Sequence, residues 1–344
     1  MNQTTAKAQD SSNNMPVNAL YIRLFSLCIV VVVLVVAWSG AATGMDFIGR
    51  SARLVLPNWM LVLTIILLGV PHGALDFVKA RRQLQLPAMS RYVLAYVGVT
   101  AFSFYLLAQF PQWVLPLLLV IASWHFGETY RVMFYHPNGE APRQYWLRTV
   151  SVLGAFAIGA LPITLAVFAF SSTKMGMSEA FALFTAIGGE AAAQSTVAVW
   201  LIGMEFFYLM PLLAMAFGIW RIARASSARR FSCALDVMEV FLTFAIFVFT
   251  PVLLAFTLYF CFIHAPRHTA FALQELAGQF KLRLLLLEAL AVSLTAVALI
   301  WGLSRVLPLG SDLMQGDNVS LLFSGLLAIT VAHAAHDRIC RFLR

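Results

Sequence analysis

Long apolar runs dominate this sequence and restrict its fold more than any other feature. A helix needs roughly 20 apolar residues to cross a hydrocarbon core of about 30 Å. Nine segments meet or approach that length: 20–38, 54–77, 92–110, 113–135, 146–170, 196–220, 237–263, 284–307 and 319–337. Only helices and closed barrels satisfy the backbone in lipid, and runs of this length are helical. The pattern predicts an all-α, polytopic transmembrane helical bundle of eight or nine helices.

Composition excludes most other classes of protein. The chain is 61% hydrophobic and only 11% charged, whereas soluble domains carry about 25% charged residues. Disorder, coiled coils and disulfide-stapled scaffolds are excluded as well, because the apolar runs are long, lack heptads and contain few cysteines. The four cysteines have no metal-type spacing and are expected to be packing residues. We expect a polar N-terminal tail over 1–19, followed by one membrane-embedded domain over 20–344.

The distribution of basic residues predicts the orientation in the membrane. The net charge is +8, but the Lys and Arg residues lie in short loops rather than on one extended face. We therefore expect contact with membrane lipid and no nucleic-acid partner. The loops after the second, fourth and sixth segments hold eleven basic residues, and those after the first, third and fifth hold three. The positive-inside rule then predicts a multi-pass protein of the cell (inner) membrane with a cytoplasmic N-terminus.

Six of the seven histidines lie in or next to apolar segments, and only His136 lies in a polar loop. Polar side chains at membrane depth are costly unless they are paired or bound to something. The six histidines occur in four short motifs: Val70-Pro71-His72-Gly73-Ala74-Leu75-Asp76, Ser123-Trp124-His125-Phe126-Gly127-Glu128, His264-Ala265-Pro266-Arg267-His268 and His333-Ala334-Ala335-His336-Asp337.

The spacing within these motifs is typical of metal ligands. His264 and His268 stand four residues apart, on one helical face unless Pro266 breaks the helix. His72 and His125 each have a carboxylate, Asp76 and Glu128, on their own face, where it would orient a ligating imidazole. A single histidine would more often be an interhelical hydrogen-bonding partner.

Four histidines from three segments favour a metal site. Imidazole ligands suit zinc, copper or iron. An apolar setting holds little water for hydrolysis, which favours iron with open positions for dioxygen.

Two further charged residues are candidates for a role at the site. Glu205 lies in the middle of its segment and is expected to face the bundle interior, pairing with an imidazole or with Arg267. Arg267 itself either holds a carboxylate near the histidines or extends to the membrane interface. Aromatic residues form a channel beside the histidines or simply pack the helices: Trp124, Phe126, Tyr130, Phe206, Phe207, Tyr208 and Phe260.

The succession of these motifs resembles the Brp/Blh family of membrane β-carotene dioxygenases over roughly residues 55–340. The resemblance implies an enzyme with non-haem Fe(2+) that splits β-carotene at its central double bond with O2, giving two molecules of retinal. It also implies a functional link to a retinal-binding rhodopsin. The implied iron ligands and catalytic residues are His72, His125, His264 and His268. The implied residues around them are Asp76 and Glu128, and His333 resembles a further family histidine. Glu205 is a further candidate beside the site, from its position within its apolar segment.

Three alternatives stay open on the sequence alone. A fatty-acid desaturase or hydroxylase would use about eight histidines in HxxxH and HxxHH boxes, whereas this chain has one HxxxH and no HxxHH. A transporter or binding protein could use the histidines as proton relays or haem ligands, and an inactive homologue would keep them as structural residues. The predicted boundaries and orientation also put His72 near the cytoplasmic face of the membrane and His264 near the outer face, unless the boundaries shift or the chain breaks at Pro251.

Overall fold

The computed structural model describes residues 17–42, 57–135, 145–168, 174–201, 204–224, 227–275, 282–306 and 318–344. These parts form eleven helices and no strand. The helices are α1 (Val17–Ala42), α2 (Asn58–Thr64, a π-helical turn at Ile65–Gly69, then Pro71–Gln83), α3 (Leu86–Gln109), α4 (Pro111–Tyr135), α5 (Tyr145–Phe168), α6 (Lys174–Leu201), α7 (Met204–Arg224), α8 (Ser227–Phe249), α9 (Val252–Tyr259, a π-helical turn at Phe260–His264, then Ala265–Glu275), α10 (Leu282–Val306) and α11 (Asn318–Leu343).

The predicted all-α membrane bundle is confirmed. Among the described residues, five helices are long and apolar enough to cross a membrane, and they include most of α2, α3 and α11. Large apolar side chains cover the outside of the bundle, as Leu94 on α3 and Trp113 on α4 show with exposures of 76% and 74%. Such a surface matches contact with lipid, which is as apolar as the side chains themselves.

Two helices exceed the predicted set. α6 was not predicted because Gly188, Gly189, Glu190 and Gln194 lower its hydropathy, and its backbone turns at Gly189 with φ of 82°. The predicted segment 237–263 belongs to two helices, because the chain leaves the helical conformation at Pro251.

The new boundaries bring His72 and His264 to a similar depth in the bundle. α2 continues to Gln83 and α9 continues to Glu275, so that each histidine lies near the middle of its helix. The predicted segment ends, at 77 and 263, were too early. The two histidines therefore no longer lie at opposite faces of the membrane.

Glycines allow α4 and α5 to approach backbone to backbone. A Cβ on Gly127 would lie 2.1 Å from the carbonyl oxygen of Ala155, and one on Gly159 would lie 2.0 Å from that of Ser123. Only glycine fits at either position, as in other close helix pairs of membrane proteins. This contact fixes the part of α4 that carries His125.

A buried ion network ties four other helices together. Arg23 of α1 lies 2.9 Å from Asp236 and 2.6 Å from Glu239 of α8. Arg221 of α7 contacts Asp236 at 2.7 Å, and Arg267 of α9 bonds to both carboxylates. All five side chains are at most 3% exposed. The expectation that Arg267 extends to the interface is wrong, because Asp236 and Glu239 hold it inside the bundle.

We expect Glu239→Gln to destabilise the protein strongly, because it leaves buried arginines short of a counter-charge. Breaking a buried pair costs about 3–5 kcal/mol. The matched control is Glu288→Gln, because Glu288 pairs with the half-exposed Arg81 at 2.8 Å, and such surface pairs contribute about 0–1 kcal/mol. Unfolding by SDS, followed by far-UV circular dichroism, measures both changes. Equal shifts of the two midpoints would contradict the assigned role of the network.

Candidate metal centre

Four helices bring five histidines together in the interior. They are His72 of α2, His125 of α4, His264 and His268 of α9, and His333 of α11. The ring centroids lie 4.4 Å apart for His125 and His333, and 4.8 Å apart for His72 and His264. The ligand nitrogens of His72, His125 and His333 all lie within 4.8 Å of one another. The four histidines named from the motifs thus converge, and His333 joins them.

Two prolines create the same local irregularity beside the two π-helical turns. Val70 precedes Pro71, and its N–H bonds to the carbonyl five residues back, that of Ile65. Ala265 precedes Pro266 and bonds in the same way to Phe260. Proline has no N–H to donate, and a π turn placed before it absorbs the break without ending the helix. Pro266 therefore does not break the helix between its histidines.

The π-helical turn of α2 also orients His72. The N–H of Gly73 bonds to Val70 at 3.1 Å instead of to Gly69. The carbonyl of Gly69 is then available, and it accepts a hydrogen bond from Nδ1 of His72. With the proton on Nδ1, the lone pair of Nε2 is free to coordinate a metal.

The two π-helical turns pack against each other. A Cβ on Gly69 would lie 2.4 Å from the ring of Phe260, and the thiol of Cys261 approaches the carbonyl oxygen of Thr64 at 3.6 Å. The rings of Phe260 and His72 are 5.3 Å apart in an edge-to-face contact. This contact between turns determines how close His72 and His264 lie.

Asp76 orients a different histidine from the one that its spacing suggested. Its carboxylate Oδ2 pairs with Nδ1 of His333 on α11, whereas the expected partner was His72, four residues away. Because Gly69 already occupies Nδ1 of His72, the carboxylate is available to His333. The interaction leaves Nε2 of His333 directed at the cluster, which is the usual carboxylate–imidazole arrangement at metal ligands.

Several imidazole nitrogens in the cluster have no hydrogen-bond partner among the described residues. They are Nε2 of His125, His264 and His333, and Nδ1 of His268. A buried polar atom without a partner is costly, and such atoms are rare in folded proteins. Converging lone pairs of this kind fit a metal ion. The geometry therefore supports a metal-binding histidine cluster, without identifying the ion.

Different surroundings lie on the two sides of His333. Towards the C-terminal end of α11, a polar cavity of about 510 Å³ borders His125, His268 and His333 and also contacts Asp76 and Glu128. Towards the N-terminal part of α11, the cavities are apolar, and one is bounded by Phe126 and Phe260. The cluster is thus positioned where polar and apolar reactants can meet.

Some expectations lie outside the described residues. The side chain of Glu205 and the whole of His136 are among them. Glu128 is half-buried beside His125 in the polar cavity. The remaining histidine, His336, bonds through Nδ1 to the hydroxyl of Tyr92 at 2.8 Å, one turn beyond His333.

Two important residues escaped the sequence analysis. Asp236 and Glu239 stand three apart on one face of an otherwise apolar stretch, and Arg23 is a lone charge in the first apolar segment. Opposite charges isolated in separate membrane segments indicate a buried pair. That signal was present in the sequence.

Fold and cluster together define a polytopic helical membrane protein with a metal-binding site made of histidines. Comparison with known proteins then identifies the family: the model of the beta-carotene 15,15'-dioxygenase family matches residues 63–336, and the chain belongs to that family. It is therefore an oxidoreductase that acts with O2, a carotenoid-cleaving dioxygenase. All five clustered histidines lie in the matched region. The family favours this reading over the desaturase and transporter alternatives.

A curated relative agrees with this assignment. The beta-carotene 15,15'-dioxygenase of Uncultured marine bacterium 66A03 is 23% identical over 286 residues, which cover 81% of this chain and 92% of the relative. No solved structure matches the chain.

We expect Asp76→Asn to weaken metal binding, because the variant loses the carboxylate that orients His333. Loss of such a partner typically lowers metal affinity about 10–100-fold. The matched control is Asp337→Asn, which changes an 87% exposed carboxylate that lines the same cavity. Competition with a chelator, read by elemental analysis of the protein under anaerobic conditions, compares the affinities. Similar affinities for the two variants would contradict the role given to Asp76.

Proposed function

We propose that this protein cleaves β-carotene at its central 15,15' double bond with O2 and releases two molecules of retinal. The observation that carries the proposal is the buried cluster of five histidines in a chain that the family model matches over residues 63–336. The cluster lies between apolar cavities, which suit a polyene, and a polar cavity, which suits the aldehyde ends of the products.

We further propose Fe(2+) as the metal, held by His72, His125, His264 and His268, with His333 as an additional ligand. Support comes from the donor set, because imidazole nitrogens are well suited to iron and the group formed by His72, His125 and His333 includes no cysteine. When bound, Fe(2+) with a coordination position free for O2 supplies the redox chemistry that a ground-state oxygen molecule needs to react with a double bond.

The protein's own residues prepare the site for such a reaction. Gly69 and Asp76 fix the tautomers of His72 and His333, so that their Nε2 atoms carry lone pairs. The rings of Phe126 and Phe260 lie 4.7 Å and 5.8 Å from that of His264. These rings form an apolar wall that excludes water and offers a surface for a conjugated chain.

Membrane location follows from the substrate as well as from the helices. β-Carotene is confined to the bilayer, and a site at the depth of α2 and α9 reaches it there. We place the protein in the cell (inner) membrane with its N-terminus in the cytoplasm, because basic residues lie at the C-terminal ends of α2 and α4 and at the N-terminal ends of α3 and α5. The additional helix α6 reverses the side of the membrane expected for each later loop. The basic residues of those loops are therefore not used to assign the orientation. Retinal released into the membrane would serve a retinal-binding rhodopsin.

The proposal predicts retinal in membranes of β-carotene-producing bacteria that express this chain. His72→Ala and His264→Ala should each abolish retinal formation, because each removes a proposed ligand. His136→Ala, which changes a histidine in a polar loop of the sequence, should leave it unchanged. Extraction and chromatography of the carotenoids measure both substrate and product.

Two results would contradict the proposal. The first is unchanged β-carotene in cells that contain well-folded wild-type protein. The second is a pair of unequal apocarotenals instead of retinal, which would mean cleavage away from the centre.

A further inference from the structure

An apolar groove runs between α2, α3, α10 and α11, with a volume of about 370 Å³. It opens on the outside of the bundle, where Val93 and Val97 of α3 are 37% and 38% exposed. No charged side chain is among its lining residues. The groove is therefore accessible from the lipid phase and offers almost no polar group to a ligand.

The groove reaches the metal centre through a glycine. Gly73 of α2 lines the groove and directly follows His72 in the chain. The heavy atom nearest to a Cβ placed on Gly73 would be Nδ1 of His333, at 3.9 Å. No side chain at position 73 thus separates the groove from two imidazoles of the cluster.

Two smaller apolar cavities continue the groove along α11. A cavity of about 190 Å³ shares Val70 and Ile329 with the groove. A third cavity, of about 70 Å³, shares Leu326 with the second and is bounded by Phe126 and Phe260. The three cavities are thus neighbours along α11, from the lipid-facing groove to the aromatic wall beside His264.

The shape and chemistry of the groove suit one class of ligand. Small residues form part of its lining, among them Gly73, Ala74, Ala101 and Ala296, and the rings of Tyr92 and Tyr96 also line it. The hydroxyl of Tyr92 is already bonded to His336. The groove thus offers small and aromatic surfaces, which suit a flat, rigid hydrocarbon without hydrogen-bonding groups.

We propose that this groove is the lateral entrance and binding site for one hydrocarbon arm of the carotenoid. In this position the arm lies between α3 and α10, and the chain of conjugated double bonds passes Gly73 to bring the scissile bond to the histidines. The inference rests on the proposed function and extends it, because it assigns the residues that bind the substrate. A lipid acyl chain or a helix of a second copy would be the competing occupants.

The test is a pair of identical substitutions on one helix. Ala296 lines the groove, whereas Ala298, two residues further along α10, is exposed and lines none of these cavities. We expect Ala296→Trp to fill the groove and lower kcat/KM for β-carotene at least about tenfold. Ala298→Trp should stay within about twofold of the wild type. Ala101→Trp, from the opposite wall, should reproduce the effect of Ala296→Trp.

A binding measurement separates loss of substrate from loss of the metal centre. Metal-free protein is purified anaerobically from β-carotene-producing cells, and the carotenoid absorbance is divided by the protein concentration. Ala296→Trp should retain much less carotenoid than Ala298→Trp, while size-exclusion profiles and metal uptake stay the same for both. Retention and kcat/KM equal to those of Ala298→Trp would overturn the proposal and indicate that lipid or another helix occupies the groove.

Failure of this proposal is distinguishable from failure of the proposed function. If the wild type cleaves β-carotene and both groove variants cleave it equally well, the function stands and the groove assignment falls. If the wild type cleaves nothing but Ala296→Trp still loses bound carotenoid, the binding groove stands and central cleavage falls. If the wild type neither cleaves nor retains β-carotene, both fall.

Discussion

Every polar group inside this apolar bundle needs a partner. The partners of the buried charged groups determine where the histidines of the metal centre lie. Arg267 stands between His264 and His268 in the chain, yet its guanidinium lies against Asp236 and Glu239, 3.5 Å above the ring of Tyr130. Tyr130 in turn donates to Glu239 at 3.1 Å. An arginine this deeply buried is stable only while its carboxylates stay in place. The ion network therefore fixes the rotation of α9, and with it the direction of both histidines.

The imidazoles of the histidine cluster are neutral, but as buried polar groups they also need partners. His72 and His333 each have one nitrogen satisfied by the protein, through Gly69 and Asp76, and several nitrogens of the cluster are left to a metal. Proline contributes on both helices, since Pro71 and Pro266 each follow a π-helical turn by two residues. These turns absorb the break at each proline, and they pack against each other where the imidazoles of His72 and His264 meet. Turns of this kind are frequent at functional sites.

Sequence reasoning reached the bundle and four of the clustered histidines, because long apolar runs and histidines at membrane depth are local signals. It missed what depends on partners from distant segments. The spacing of His72 and Asp76 favoured a bond within one helix, but the carboxylate bonds to His333, 257 residues away in the chain. α6 was missed because its glycines and polar residues lower its hydropathy, and Pro251 divides a region that reads as one apolar segment.

We propose that the clustered histidines hold one iron ion. X-ray absorption spectroscopy of the anaerobic, Fe(2+)-loaded protein tests it most directly, because imidazole rings give a characteristic scattering pattern beyond the first coordination shell. We expect about one iron per chain with nitrogen ligands and strong imidazole scattering, which weakens in His125→Ala. Iron bound by oxygen or sulfur alone, or scattering unchanged in that variant, would contradict it.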